Sequence, residues 1–243
     1  MHKLDVLEIR FKNNDAEEVI YPVVLSDDDE TILIDCGYPH FLPLIKEAFE
    51  RKKLDMNQLT KVIITHHDFD HIGSLAQLKR EYPHVKILAS VHEVKYITGE
   101  EKSLRLQQAE AIYHKLPKEE RGQAKLFHSM LESIESASVD IELRDGDCFP
   151  WCGGIEVIET PGHMPGHISI YMKDLKTLIS GDALVVEGGS IGIANPQYIL
   201  DMNQAKNSIK KLLNYNMDAI ICYHGGIYTK DIKESLEHIL YSC

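Results

Sequence analysis

Histidine and aspartate side chains concentrate in four short segments of this chain, and each segment follows a run that is typical of a β-strand. The densest segment, HHDFDH at 66–71, comes directly after the apolar run 61–65. Residues two apart in an extended segment point the same way, so alternate residues of 66–70 can converge on one side. Imidazole and carboxylate groups together bind zinc, iron or manganese, so the pattern predicts a metal site. The candidate residues of the four segments are His66, Asp68, Asp70, His71, His163, Asp182 and His224.

Some of these residues have other interpretations. Asp68 and Asp70 alone could be loop carboxylates that cap the next helix. His67 alternates away from His66, and His167 could face a substrate or support a ligand; either could also join the metal site.

The elements that must position these residues alternate between β and α patterns. Two β-branched runs, 19–25 and 31–35, flank a polar turn and predict a hairpin, with Pro22 at an edge or a bulge. Apolar spacing predicts a helix over 40–53 with one buried face. Further along we predict strands at 61–65, 85–89, 139–143, 155–159, 168–172, 177–180 and 219–223, and helices at 73–81, 201–213 and 231–240.

The segment 100–137 has a different pattern. It is too apolar for a linker and lacks Gly/Ser runs, so we interpret it as an inserted helical pair that Pro117 divides. Its two apolar stripes are Leu106, Ala109, Ile112, Tyr113 and Leu116, then Phe127, Met130, Leu131 and Ile134. Because no internal repeat is visible, the economical prediction is one α/β domain over residues 1–243.

Composition argues against several classes of protein. Lys and Arg number 26 against 38 Asp and Glu, so the formal charge is 26 − 38 = −12, whereas nucleic-acid binding needs clustered cations. Hydrophobic residues make up 44% of the 243 residues, but no run approaches the ~18 apolar residues of a membrane span. Residues 1–8 carry charges where a signal peptide needs an apolar run. We therefore expect a cytoplasmic protein that acts on a small molecule and binds neither nucleic acid nor membrane; its oligomeric state stays open.

The cysteines do not predict a disulfide framework, since there are five of them, scattered over the chain. Cys148 and Cys152 flank a short aromatic segment. We interpret them as two buried thiols at a hairpin rather than as a redox pair.

Five motifs, in order over roughly residues 19–240, resemble those of the metallo-β-lactamase-fold hydrolases. They are LIDCG at 33–37, THHDFDHIG at 65–73, TPGHMPGH at 160–167, SGD at 180–182 and HGG at 224–226. The resemblance implies a four-layer αββα sandwich, here with the helical insertion around 100–137. It also implies a metal cleft at one edge of two facing sheets.

Carried over position by position, the resemblance implies two divalent metal ions, zinc first and iron or manganese as alternatives. The ligands would be a first ligand group of His66, Asp68 and His163, a second ligand group of Asp70, His71 and His224, and Asp182 as a bridge. Asp70 and Asp182 would be the catalytic residues, and Asp35 would hold the metal loop through hydrogen bonds.

Asp68 departs from the usual HxHxDH motif of that family, because it stands where the second histidine belongs and makes the motif HxDxDH. Two divalent ions then contribute a charge of +4, and three aspartates with a bridging hydroxide contribute −4, so the net charge of the site is zero. A histidine at position 68 would leave a net charge of +1. A less positive site is a weaker Lewis acid, and a carboxylate favours iron or manganese over zinc. The oxygen-reducing di-iron branch of the superfamily also places an acidic residue there.

The predicted reaction is hydrolysis by a metal-bridging hydroxide that attacks a small ester, thioester or lactone. Two alternatives stay open. One is a phosphodiesterase or nuclease of the same fold, although the charges of the insertion are near balance instead of basic. The other is a non-catalytic ligand-binding, sensor or redox member of the superfamily.

Overall fold

The computed structural model describes residues 2–13 and 16–242, so Met1 and Cys243, the ends of the predicted domain, lie outside the described residues. Within those ranges the strands form two six-stranded sheets and two hairpins of two strands each. The strands are β1 (Lys3–Val6), β2 (Ile9–Asn13), β3 (Ala16–Ile20), β4 (Val23–Ser26), β5 (Thr31–Ile34), β6 (Lys61–Ile64), β7 (Lys86–Ser90), β8 (Ile141–Leu143), β9 (Cys148–Phe149), β10 (Ile155–Glu159), β11 (Ile168–Met172), β12 (Thr177–Gly181), β13 (Val185–Glu187), β14 (Ser190–Gly192), β15 (Ala219–Cys222) and β16 (Gly226–Tyr228).

The helices lie between groups of these strands, and the last of them ends the described chain. They are α1 (Leu42–Arg51), α2 (Phe69–Ile72), α3 (Leu75–Glu81), α4 (Val94–Ile97), α5 (Leu104–Tyr113), α6 (Arg121–Glu132), α7 (Met202–Leu212) and α8 (Ile232–Ser242). The predicted helix 73–81 is preceded by a separate short turn of helix, α2, which carries part of the HHDFDH segment. None of the described helices has the length and apolar character that crossing a bilayer requires.

Both large sheets combine parallel and antiparallel pairing. The first has the order β1-β4-β5-β6-β7-β8, with β5 to β8 parallel; the second has the order β16-β15-β12-β11-β10-β9, with only β12 and β15 parallel. Parallel strands in the middle of such a sheet are buried on both faces, so their sequences are apolar throughout. That explains the apolar run that follows Lys61 in β6 (KVII) and the apolar sequence of β15 (AIIC).

Three apolar clusters show how the layers stack. Ile63 of the first sheet and Ile170 of the second belong to one cluster, so the sheets pack face to face. The outer face of the first sheet packs on α1 through Phe49, and that of the second packs on α7 and α8 through Leu212 and Leu236. The predicted αββα sandwich is confirmed.

Two sequence-based expectations need correction. The single strand predicted over 19–25 is two strands, because β3 pairs with β2 while β4 enters the first sheet. Pro22 lies at the break, where a residue without an N–H group costs no ladder hydrogen bond.

Cys148 is exposed and only Cys152 is buried, so the prediction of two buried thiols was wrong. The strands β1, β2, β9, β13, β14 and β16 were not predicted.

The insertion consists of α5 and α6, which pack on each other. Pro117 lies in the connection between them, as predicted. Leu106, Ala109 and Leu131 are buried in a small cluster that also contacts Phe69 of α2. Ile112, expected on the buried stripe, is 47% exposed. The insertion therefore packs directly on the segment that carries the candidate ligands.

Candidate metal centre

The candidate ligands follow the ends of four strands, as the sequence predicts. The segment 65–71 follows β6, His163 lies beyond β10, Asp182 follows β12 and His224 follows β15. Since β6 belongs to the first sheet and the other three strands to the second, the side chains meet at the edge where the two sheets face each other. The structure brings all seven candidates into one cluster.

Both histidines of the second ligand group lie close to Asp70 and to Asp182. His224 Nε2 is 3.1 Å from Asp70 Oδ2 and 3.6 Å from Asp182 Oδ2. His71 Nε2 is 3.7 Å from Asp70 Oδ2 and 3.5 Å from Asp182 Oδ1. Bonds of ~2.0–2.2 Å to a tetrahedral ion place its ligand atoms roughly 3.3–3.6 Å apart, so this spacing suits one divalent ion.

The first ligand group has similar spacing but contains a cation of the protein. Asp68 Oδ2 is 3.6 Å from His66 Nε2 and 3.0 Å from His163 Nε2. Arg105 of α5 donates from Nε to Asp68 Oδ1 (3.1 Å) and from Nη2 to Asp68 Oδ2 (2.6 Å). Arg105 and Asp68 are 3% and 4% exposed, so this ion pair is buried.

Unpartnered buried atoms test whether these residues fit a metal ion. Within the cluster, His66 Nε2, His71 Nε2, His163 Nδ1 and Asp182 Oδ1 are buried without a hydrogen-bond partner among the described residues. His66, His71 and Asp182 each offer a ligand atom within 4.8 Å of the other two. Orphaned buried acceptors are costly, and a bound ion is one of the few groups that satisfies several at once. The donor set therefore fits a divalent cation at this point.

Asp35 orients the metal loop. Its carboxylate accepts from the Thr65 N–H (2.9 Å) and the Thr65 hydroxyl (2.8 Å), and it lies 2.8 Å from His71 Nδ1. A carboxylate on Nδ1 leaves Nε2 free to face a metal. The Tyr223 hydroxyl donates to the Asp70 carbonyl at 2.6 Å, which holds the other side of the loop.

Gly73 ends the motif for a steric reason. A Cβ atom at this position would lie 2.2 Å from the Pro39 nitrogen, a distance that no side chain tolerates. The residue lets the loop that follows Asp35 pass directly over the start of α3. The sequence signal DHIG thus specifies a close backbone contact as well as two candidate ligands.

The two histidines left open by the sequence have both ring nitrogens in contact with protein atoms. His67 Nε2 accepts from the Leu104 N–H (3.2 Å), and Nδ1 donates to buried Glu93. His167 Nε2 accepts from the Asp182 N–H (3.0 Å), and Nδ1 lies 2.9 Å from the Thr160 hydroxyl. Burial lowers the pKa of His167 to about 3, which keeps the ring neutral and able to accept. Both residues therefore support the loops, and neither presents a free nitrogen to a metal.

Electrostatics keep Asp68 and Asp182 ionised in spite of burial. Burial by itself would raise the pKa of Asp68, but His163, His66 and the charge of Arg105 lower it well below its ordinary value. Burial likewise opposes ionisation of Asp182, yet His224 and His71 lower its pKa well below the usual range. Ionised carboxylates are the form that binds a metal.

Arg105 is the site residue that sequence reasoning missed. The candidate ligands follow strand ends, whereas Arg105 lies in a helix of the insertion. Its position four residues before Ala109 places it on the stripe predicted to be buried, and an arginine there needs a partner. An arginine on a stripe predicted to be buried was therefore the sequence signal that could have identified Arg105. The charge balance drawn from the sequence omitted this cation, so the site is more positive by one unit than predicted.

Five of the seven candidate ligands, Asp68, Asp70, His163, Asp182 and His224, line a cleft of about 950 Å³. Phe69 of α2 and Phe127 of α6, with ring centroids 5.8 Å apart, connect the metal loop to the insertion. The Tyr38 ring, 5.4 Å from that of Phe69, and the Phe11 ring beyond it extend this aromatic wall. The cleft therefore has a polar, acidic end and an apolar wall.

Fold and site together define a class of metal-binding α/β sandwich. A sequence model of the metallo-beta-lactamase superfamily matches residues 17–234, and the chain belongs to that superfamily. The HxDxDH motif at 66–71 is a variant of the superfamily pattern.

Individual relatives agree with this assignment. Over 213 residues the chain is 29% identical to YflN of Bacillus subtilis, named a probable metallo-hydrolase, which covers 82% of this chain and 77% of that protein. It is also 29% identical over 186 residues to a hydroxyacylglutathione hydrolase of Roseobacter denitrificans, covering 76% of this chain and 54% of that protein. Family and relatives support a metal-dependent hydrolase.

The solved structure of the metallo-beta-lactamase family protein TTHA1429 from Thermus thermophilus has a similar fold. The TM-score is 0.75 over 98% of this chain and 78% of that chain, with 19% sequence identity. At this identity the likeness establishes the fold and leaves the reaction to the site itself.

Proposed function

We propose that the protein is a metal-dependent hydrolase of a small ester, thioester or lactone. The observation that carries the proposal is the placement of the ligand cluster at the end of a cleft with an aromatic wall. Asp70, Asp182 and His224 face this cleft together with Phe69 and Phe127. A carbonyl group could thus reach the acidic end while its acyl chain packs on the rings.

A divalent ion bound by these residues would supply a Lewis acid and bring the pKa of a water ligand to roughly 7. The residues of the chain supply the rest of the chemistry. Asp182 lies between the two ligand groups, within 3.7 Å of His71, His163 and His224, so it can hold the position of the ion. Asp70 faces the cleft and can accept a proton from an attacking water.

The charges along the cleft favour an uncharged substrate. Among the described residues that line it, full positive charges lie on Lys12 and Arg105, and Arg105 is already paired with Asp68. Glu18 and Glu187 add negative charge to the lining. A phosphodiester would meet more carboxylates than free cations, which counts against the nuclease alternative. The similarity to a hydroxyacylglutathione hydrolase favours a thioester among the carbonyl substrates.

We propose zinc as the ion, because the second ligand group provides two imidazoles and a carboxylate, and Asp182 lies 3.5 Å from His71 and 3.6 Å from His224. Iron and manganese remain the alternatives, since carboxylates are hard ligands. Two ions are the expectation from the family pattern, and that number requires both ligand groups to be available. The cytoplasmic location and the absence of nucleic-acid and membrane partners stay predictions.

The proposal is tested with protein reconstituted with zinc, manganese or iron. The substrates are p-nitrophenyl esters of increasing acyl length, an acyl thioester, a lactone and bis-p-nitrophenyl phosphate. We expect turnover of the carbonyl substrates and little of the phosphodiester, and loss of turnover in Asp182→Asn. The exposed control Asp29→Asn should match the wild type. Preference for the phosphodiester, or no turnover by metal-loaded protein, would overturn the proposal.

A further inference from the structure

The Asp68–Arg105 pair distinguishes the first ligand group from the second. Both carboxylate oxygens of Asp68 accept from the guanidinium, in the side-on geometry that is the strongest arrangement for this pair. Arg105 Nη2 also lies 3.4 Å from His163 Nε2. One guanidinium therefore contacts two of the three members of the first ligand group.

Arg105 is held in this position from several directions. Its Nη1 donates to Gln108 Oε1 (2.7 Å), and Nη2 donates to the Tyr198 carbonyl (3.1 Å). The Leu104 N–H, one residue earlier, donates to His67 in the metal loop. These contacts fix the first turn of α5 against the metal loop, so the guanidinium is not a mobile side chain that would swing away at low cost.

We propose that the guanidinium of Arg105 takes the place of the cation in the first ligand group, so that the chain holds one divalent ion instead of two. That ion is bound by the second ligand group and Asp182. The inference deepens the proposed function and rests on it only in treating these residues as metal ligands.

Charge balance agrees with a single ion. The three buried aspartates of the cluster, Asp68, Asp70 and Asp182, carry −3. One divalent ion and Arg105 carry +2 and +1, so the sum is zero before any water ligand is counted. A second ion in the first group would share Asp68 with a permanently charged guanidinium, and the two cations would repel each other in a buried site.

The unpartnered atoms show that the carboxylate of Asp68 is already satisfied by the protein. The oxygens of Asp68 and the Nε2 atom of His163 have protein partners, whereas four buried atoms of the cluster have none among the described residues: His66 Nε2, His71 Nε2, His163 Nδ1 and Asp182 Oδ1. Three of these four atoms belong to His66, His71 and Asp182, which lie together, so what still needs a partner is gathered around Asp182 and not around Asp68.

The test counts ions without measuring turnover. Wild-type protein, Arg105→Met and Arg105→Lys are stripped with a chelator and titrated with zinc, and bound metal is measured by elemental analysis and calorimetry. Arg121→Met is the matched control, since Arg121 also lies in the insertion but donates to the carbonyls of Leu116 and His114 and stacks on the ring of Tyr113, away from the candidate ligands. We expect one ion per chain in the wild type, Arg105→Lys and Arg121→Met, and two in Arg105→Met.

Asp68→Asn provides a second measurement if Arg105→Met does not fold. Because the inference removes Asp68 from the metal ligands, Asp68→Asn should keep one ion with a Kd within about threefold of the wild type. Two ions of similar affinity in the wild type, an unchanged count in folded Arg105→Met, or loss of an ion in Asp68→Asn would each overturn it. A single ion that turns over no carbonyl substrate would instead refute the proposed function and leave the inference standing.

Discussion

The two ligand groups lie side by side at the same sheet edge and share Asp182, yet the protein surrounds them differently. The second group is supported by neutral or negative partners, with Asp35 on His71 and the Tyr223 hydroxyl on the Asp70 carbonyl. The first group receives a buried cation from the insertion, Arg105. Both groups have ligand spacing that suits a divalent ion.

The difference shows that ligand identity and spacing are an incomplete description of a metal site. A carboxylate that replaces a histidine changes the local charge by one unit, and a guanidinium brought in from a distant helix changes it back. The family pattern at 66–71 cannot reveal this, because the compensating residue lies 37 positions away from Asp68. The comparison can be tested by perturbing each group separately.

The largest effect is expected from matched histidine substitutions in the two groups. His224→Gln should lower bound zinc well below one ion per chain and turnover by roughly 10²–10⁴-fold, since it removes a ligand of the proposed ion. His163→Gln should retain the zinc. Elemental analysis and ester hydrolysis measure both effects. Equal loss of metal in the two variants would mean that the groups are equivalent.

The next effect concerns the support of the second group. Asp35→Asn keeps an oxygen for the Thr65 N–H but weakens the contact that orients His71. Partners of metal-binding histidines typically contribute 10–100-fold to metal affinity, so we expect a Kd for zinc raised by roughly that factor. Competition with a fluorescent chelator measures it, with Asp55→Asn, at an exposed turn, as the control. An unchanged Kd would show that the loop keeps its geometry without Asp35.

A smaller effect is expected at the aromatic wall that the insertion contributes. Phe127→Ala should raise KM for a long acyl ester roughly 5–10-fold and leave that for an acetyl ester nearly unchanged, because only the longer chain reaches the ring. The neighbouring residue Leu126 is 74% exposed on the same helix, so Leu126→Ala is the control. Equal effects on both esters would mean that the wall packs the fold and not the substrate.

The smallest effect is expected at Asp140, an aspartate that pairs with cations, as Asp68 does, but lies outside the site. Asp140 accepts from the Ile87 N–H and from Lys79 and Lys86; although burial opposes ionisation, these donors lower its pKa from 3.8 to about 2. A lowered pKa stabilises the folded state above pH ~4, and the contribution is lost as the pH falls towards 2. Asp140→Asn should therefore reduce the free energy of unfolding by at most about 2 kcal/mol at pH 7.

Urea denaturation at several pH values checks this sign. The difference between wild type and Asp140→Asn should shrink between pH 4 and pH 3, and added salt should reduce it at pH 7. Zinc content should be the same in both proteins. A difference that grows on acidification would contradict the assignment, since it would require a raised pKa.

Much of the fold and of the candidate cluster could be predicted from the sequence. Local patterns were sufficient to predict the buried strands and the residues that follow them. The apolar residues of β6 specify a buried strand, and the residues directly after it must emerge at the sheet edge. The same reasoning placed Asp182 and His224, each next to a strand end. The superfamily model, which matches residues 17–234, confirms the family that these motifs indicated.

Only the tertiary structure decided which side chains balance the charges of the cluster. His67 and His167 have the same residue type as the candidate ligands, and they are distinguished by long-range contacts to Leu104 and to the Asp182 backbone. Arg105 is assigned to Asp68 by the packing of α5 on the metal loop, which no periodicity encodes. The sequence pattern determines where a side chain leaves its own element. The packing of the elements determines which distant groups lie beside that side chain in its buried, low-dielectric surroundings.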